Sequence, residues 1–460
     1  MIRSLFIGGL CALTLGLPFG SASAFCGFYV GKADTGLFND ASKVVLVRDG
    51  TSTTITMAND YAGEASEFAM VIPVPNVPAE DDIRVTRSSL IEHLDAYTAP
   101  RVVEYFDRDP CSPEPMFRTM AAPMAAMDMV QKNAENLGVT IEAEYEVGEY
   151  DILILSAKQS NGLLTWLNQE GYKTPEKAKS VLKDYIANGM KFFVAKVNLA
   201  RQKPESGGFL SPLQIRMKSK KLMLPIRLGT VNARGDQELF VFAITRKGKV
   251  VGANYPTVNI PSDTNIPPFV ENQFGRFYKD MFAKEVQQTP APVMFTEYAW
   301  DMSWCDPCAA NPPSHKDLIE LGLDWLAPKP KTPKPETRGS SDNTGGVQIP
   351  LVKPKIMPVP PRMPPQSVNA FITRLHIRYN EQTFPNDLEF RVTDDRQNFQ
   401  GRYVMQQPYL GEMNCPAAES YKANLKSRQM NEAINLAKLT GWSMPYILGQ
   451  QQAYPGKPKK

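Results

Sequence analysis

The chain has 460 residues and a formal net charge of +3, a balance too even for the concentrated basic face that nucleic-acid binding needs. Hydrophobic residues make up 43% of it, so a chain of this length can bury one to three real cores without relying on disulfides to fold. Beyond the N-terminus no window reaches the roughly 20 apolar residues of a membrane span.

The opening MIRSLFIGGLCALTLGLPFGSASA has Arg3, an apolar run from Leu5 to Leu17, and Ala22 and Ala24 flanking Ser23. It predicts a secretory signal over residues 1–24, cut after Ala24, and hence a periplasmic or extracellular protein with no transmembrane anchor after cleavage. Removing it takes Cys11 and leaves Cys26, Cys111, Cys305, Cys308 and Cys415. All five are disulfide candidates in an oxidising compartment, and their odd number leaves one sulfur over.

Residues 25–111 read as a β-rich, sandwich-like N-terminal part. Val44 to Val47, Asp49-Gly50, and Ile55 and Met57 among threonines predict a hairpin. EFAMVIPVP predicts a third strand, which Pro73 and Pro75 push to a sheet edge or end. SSLIEHLDAYTAP predicts a helix capped by Ser88 or Ser89, with Leu90, Ile91, Leu94 and Tyr97 on one face. Residues 112–138, rich in Met, Ala and Pro, read as a mobile excursion.

Residues 139–326 read as an α+β body. VTIEAEYEVGEYDILILSA predicts two strands turned at Gly148. Two helices follow, the second with Thr174 as N-cap, Pro175 at its first position and Gly189 at its end. After MKFFVAKVNL come alternating strands, and ELFVFAIT is apolar enough for a central one. A helix around Phe274, Phe277 and Met281 leads to the strand PVMFTEYAW, which delivers the chain to the WCDPC loop. Residues 327–366 hold eleven prolines and seven Lys or Arg against two acids, the composition of a disordered loop inside one fold. In 367–445, FITRLHIRY and LEFRV predict strands, and residues 418 to 439 a helix packing on the body through Leu425, Met430, Ile434 and Ala437. Residues 446–460 read as a flexible tail. The order lacks regular β-then-α alternation, so the expected class is α+β, a mostly antiparallel β-sheet body with helical insertions and a C-terminal helix.

FCGFYVGKAD, ITMANDY, FAMVIPVP, HLDAYTAPRVVEYFD, VGEYDILILSA, WCDPC, ITRLHIRY and NFQGRYVM, in that order, resemble the bacterial Domain of Unknown Function 2330 family. The resemblance implies an exported bacterial protein and brings no activity or catalytic residue with it. Some members end in a hydrophobic anchor, whereas this chain ends in GQQQAYPGKPKK.

The candidate chemistry sits in Trp304-Cys305-Asp306-Pro307-Cys308, which resembles a thioredoxin active site. At a helix N-terminus the Cys305 thiolate would attack and Cys308 resolve. Asn311-Pro312-Pro313 interrupts such a helix and Asp306 opposes a thiolate, so a structural disulfide is the preferred reading. The expected pairs are Cys26 with Cys111, bracketing the first β segment, and Cys305 or Cys308 with each other or with Cys415. Met116, Met120, Met124, Met127 and Met129 could offer thioethers to Cu(I), but methionine is also a routine apolar filler. His93, His315 and His376 belong to no hydrolase or HExxH pattern and read as structural, and Asn59-Asp60 reads as a turn pair. No cofactor and no metal are expected. The leading reading is a non-enzymatic envelope or secreted protein that binds another protein or an envelope polymer. The alternative is a thiol-disulfide oxidoreductase using Cys305 and Cys308.

Overall fold

A computed structural model describes residues 28–31, 42–59, 68–112, 141–157, 160–175, 177–198, 201, 210–233, 235–306, 310–328 and 367–457. The predicted leader, most of the Met-rich segment, the Pro-Lys tract from residue 329 on, Asp60, Cys26 and Cys308 lie outside the described residues.

Two sheets face each other, giving the expected α+β body. The larger has nine strands. Eight run in the order Thr257–Asn259, Met294–Asp301, Phe371–Tyr379, Gln237–Thr245, Ser42–Asp49, Ser52–Asn59, Leu213–Lys218 and Ile83–Val85, and Phe399–Gln400 pairs beside Met294–Asp301. Its strands come from 25–111, 139–326 and 367–445 alike, so these stretches share one core. The hairpin Ser42–Asp49/Ser52–Asn59 forms as its alternation predicts, turning at Gly50, whose φ of 57° is the left-handed value such a turn needs. The smaller sheet runs Phe28–Gly31, Phe68–Val74, Lys191–Val197, Tyr150–Leu155, Ile141–Val147.

Alternate side chains of both sheets meet in the main core: Val44, Leu46, Val241 and Leu375 from one, Phe68, Met70, Ile152 and Phe193 from the other. The opposite faces are covered as well, which is why these strands read as near-continuous apolar runs. Helices Ser160–Gln169 and Ala178–Ala187 cover the smaller sheet. Helix Ser88–Thr98 covers one part of the larger sheet through Leu90, Ile91, Leu94 and Tyr97. Helices Phe274–Gln288, Ala417–Thr440 and Met444–Ala453 cover another, around Phe277, Phe282, Leu436 and Ile447.

Several local expectations are corrected. Phe68–Val74 lies inside its sheet, not at an edge. The strand Phe28–Gly31 pairs only with residues 68 to 71, so Pro73 falls past the point where that neighbour needs a donor. Ser88 and Ser89 are inside their helix, whose N-cap is Arg87. The helix expected to start at Pro175 starts at Ala178, because Thr174 turns its hydroxyl to Asn168 Oδ1, 3.2 Å away. The tail expected from residue 446 begins within helix Met444–Ala453, pinned by fully buried Ile447. On the long helix the buried side runs through Glu432, Ala433, Leu436 and Leu439, while Met430 and Ile434 face outward.

The disulfide pairing is corrected too. Strand Arg101–Phe106 runs parallel beside Arg402–Gln407, so the segments that leave the two strands emerge side by side. Cys111 therefore bonds Cys415, across 304 residues, with the Cα atoms 5.7 Å apart. Neither Cys26–Cys111 nor a bond from Cys305 or Cys308 to Cys415 forms, and Cys305 is an exposed free thiol.

Candidate functional site

The WCDPC loop leaves the end of strand Met294–Asp301. Asp301 shapes the turn by accepting hydrogen bonds from the Ser303 amide (3.0 Å) and hydroxyl (2.6 Å), and its carbonyl accepts from the Trp304 amide at 3.0 Å. Asp306, between the two cysteines in sequence, turns inward. Its Oδ2 accepts from the Tyr298 hydroxyl at 3.0 Å and from Gln400 Nε2 at 2.9 Å, both buried contacts. Burial first, then Tyr97 and Asp306, push the Tyr298 phenol far up, so it remains a donor. Tyr97 meets Tyr298 edge-on, with centroids 5.7 Å apart. His93, on the same helix as Tyr97, places Nε2 2.7 Å from the Asn311 carbonyl.

The loop is thus fastened on both flanks, and it presents Trp304, 55% exposed, beside the exposed Cys305 thiol. Residues 305 and 306 are irregular, and among the described residues that follow, the first helix is His315–Glu320. Asp306→Ala leaves the Tyr298 hydroxyl and the Gln400 amide short of an acceptor and is expected to destabilise the protein by about 1–3 kcal/mol. Urea unfolding measures this, and a change under half a kcal/mol or so would mean that water replaces the carboxylate.

A second constellation lies on the outer face of the larger sheet, in a stripe between the two apolar clusters. A β-bulge between Thr296 and Tyr298 takes Glu297 out of register. Fully buried, Glu297 accepts from Tyr278 Oη and Arg374 Nε and faces His376 Nδ1 at 2.6 Å. Arg374 also reaches Asp95, which pairs with Lys43 at 2.6 Å. On the other side His376 Nε2 lies 2.7 Å from Glu238, which pairs with Arg378. The charges alternate along the stripe: Lys43, Asp95, Arg374, Glu297, His376, Glu238, Arg378.

Both nitrogens of His376 face carboxylates, so both carry protons and the ring is an imidazolium. Burial opposes that charge, but Glu297 and Glu238 outweigh burial and raise its pKa. Burial would likewise raise Glu297, yet Arg374 and His376 hold it down to about 2. Phe282 and Phe240 stack on the ring at 3.6 and 4.2 Å. With both nitrogens engaged and both faces covered, His376 is a clamp between strands. Among the described residues no group of three or more His, Cys, Asp or Glu side chains could hold a metal ion, and the methionines considered for Cu(I) lie outside them. His315 opens a short helix. The Glu297 cluster was missed in the sequence because Arg374, His376 and Arg378 alternate with apolar residues just as a solvent-facing row does.

A family model described as an uncharacterized protein conserved in bacteria, DUF2330, matches residues 20–391. No curated protein and no solved structure matches the chain.

Proposed function

Because the chain belongs to the DUF2330 family of bacterial proteins, we propose that it works in the periplasm or outside the cell as a non-enzymatic binding or structural protein, with the WCDPC loop as its contact point. The observation that carries this reading is the Cys111–Cys415 bond, a cross-link that persists in oxidising compartments and is rare in reducing ones. Among the described residues no helix is long and apolar enough to cross a membrane. An exposed tryptophan on a loop fastened by a buried carboxylate suits an anchor for a protein or an envelope polymer, since little ordering remains to be done on binding.

The second reading, a thiol-disulfide oxidoreductase, is favoured by the exposed Cys305 thiol. Against it stands the Asp306 carboxylate next to Cys305, a like charge that opposes a thiolate there. Photo-crosslinking from position 304 in intact cells, together with pelleting on purified cell-wall sacculi, tests the first reading. Adducts or pelleting lost in Trp304→Ala support it. Insulin-reducing turnover abolished by Cys305→Ser would replace it with the second.

A further inference from the structure

The long helix Ala417–Thr440 buries a carboxylate. Glu432 is 1% exposed, sits next to fully buried Ala433 and one turn from fully buried Leu436, and neither of its carboxyl oxygens has a hydrogen-bond partner. Its closest charge is Arg428, one turn earlier, whose Nε lies 3.4 Å from Oε1 without forming a hydrogen bond. That guanidinium is already committed. Its two terminal nitrogens bond both oxygens of Asp107, at 3.0 and 2.8 Å, just past strand Arg101–Phe106. Asp107 also accepts from Tyr421 (2.6 Å) and Gln406 (2.7 Å). One cation therefore stands between two carboxylates, and Asp107 holds nearly all of it.

Among the described residues, the other elements packed on the helix give Glu432 no hydrogen bond and no further ion pair; on helix Phe274–Gln288, Arg276 faces Asp280, and Lys279 and Glu285 make no ion pair with Glu432. Met444–Ala453 has no charged side chain. Helix Phe274–Gln288 uses Lys284 on the Lys438 carbonyl and Asp280 on Trp442 Nε1. Beside strand Thr264–Asn265, Arg402 pairs with Asp263, and Lys457 is shared by Glu104 and Glu271.

We propose that Glu432 is a proton-operated latch: the long helix docks on Asp107 and against helix Phe274–Gln288 with this carboxyl protonated, and loss of the proton loosens the docking. A neutral carboxylic acid is tolerated among Ala433 and Leu436, whereas a second anion there faces burial with no donor of its own. Burial pushes Glu432 up to about 7, with Arg428 opposing and Asp107 adding to the rise. The folded protein thus holds this proton more tightly than the unfolded chain, where the group titrates near its ordinary 4.5. The resulting stability is complete below 4.5, drains as pH rises toward about 7 and is gone above it. The Cys111–Cys415 bond, at the head of the helix, holds that end of an opened helix near its docking site, which shortens the stretch of chain that must find its place again.

The experiment compares melting temperature from pH 5 to pH 8 in the full protein and in Glu432→Gln, which keeps the shape and removes the charge, and follows the Glu432 side-chain carboxyl directly by carbon-13 NMR in the parent protein. The latch predicts a fall of several degrees in the parent across that range, a flatter profile in Glu432→Gln, and a carboxyl midpoint near neutrality. A midpoint in the ordinary carboxylate range, or an equal slope in both proteins, overturns it. Should the variant not fold, the parent's carboxyl titration decides alone.

Discussion

Glu297→Ala is expected to destabilise the protein by about 3–5 kcal/mol, the usual result of removing one partner from a buried ion pair and leaving the other charge uncompensated. The variant strands two cations at once. Arg374 keeps Asp95 and His376 keeps Glu238, but the face of each that met Glu297 is left in a dry site against Phe282, and Tyr278 loses the acceptor for its hydroxyl. Glu297→Gln, which still offers one carbonyl oxygen, should lose less. The pH dependence follows from the shifts. With Glu297 held at about 2 against an ordinary 4.5, its contribution is complete above 4.5 and disappears as pH falls through about 2. The gap between parent and Glu297→Ala therefore closes on acidification. His376 works in the opposite sense. Its raised pKa gives stability that is complete below the ordinary 6.5 and lost as pH rises through the higher folded value. Equilibrium urea unfolding at several pH values measures both arms, and a difference below about 1 kcal/mol at neutral pH would mean that the stripe is hydrated rather than dry.

Removing the Cys111–Cys415 bond, as the double Cys→Ser variant, is expected to lower stability by about 2–5 kcal/mol, most of it through the freedom returned to an unfolded chain with so long a closed loop. The start of the long helix should fray first, since Ala418 is among the few buried residues near that end. Cys305→Ser should leave stability unchanged, because that sulfur is exposed and bonded to nothing. Non-reducing peptide mapping provides the complementary check. Recovering Cys111 linked to Cys26, or Cys415 linked to Cys305, would contradict the fold described above.

Much of the fold was legible in the sequence because strands buried on both faces announce themselves as apolar runs, as in Val44 to Val47 and in ELFVFAIT, and because Gly50 and Gly148 mark turns by their own chemistry. What sequence could not supply was which neighbour each face would meet. Arg374, His376 and Arg378 carry the same alternation whether water or a helix lies opposite, so the charge stripe stayed invisible until Phe240, Phe282 and Asp95 were placed around it. The long helix misled for a related reason. Met430 and Ile434 are its more apolar residues, yet Arg428 and Glu432 turn inward because Asp107 fixes the guanidinium there. The cysteine pairing depended on a parallel contact between strands about 300 residues apart, a distance at which local pattern carries no information. For the candidate site, the WCDPC loop was found from its spacing, whereas the inward turn of Asp306 depends on Gln400, far along the chain.

The position of strand Phe371–Tyr379 has a consequence for the order in which the fold can close. It lies between Gln237–Thr245 and Met294–Asp301, both earlier in the sequence, so until it is in place the larger sheet is two pieces with a slot between them and two unpaired edges. Non-local pairing of this kind is slow to form. Closing the slot early with any other segment would trap Glu238 and Glu297 without the Arg374, His376 and Arg378 that neutralise them, an arrangement heavily disfavoured in a dry interior. The last strand brings those three cations in one piece, so the two carboxylates favour the one segment whose charges match them.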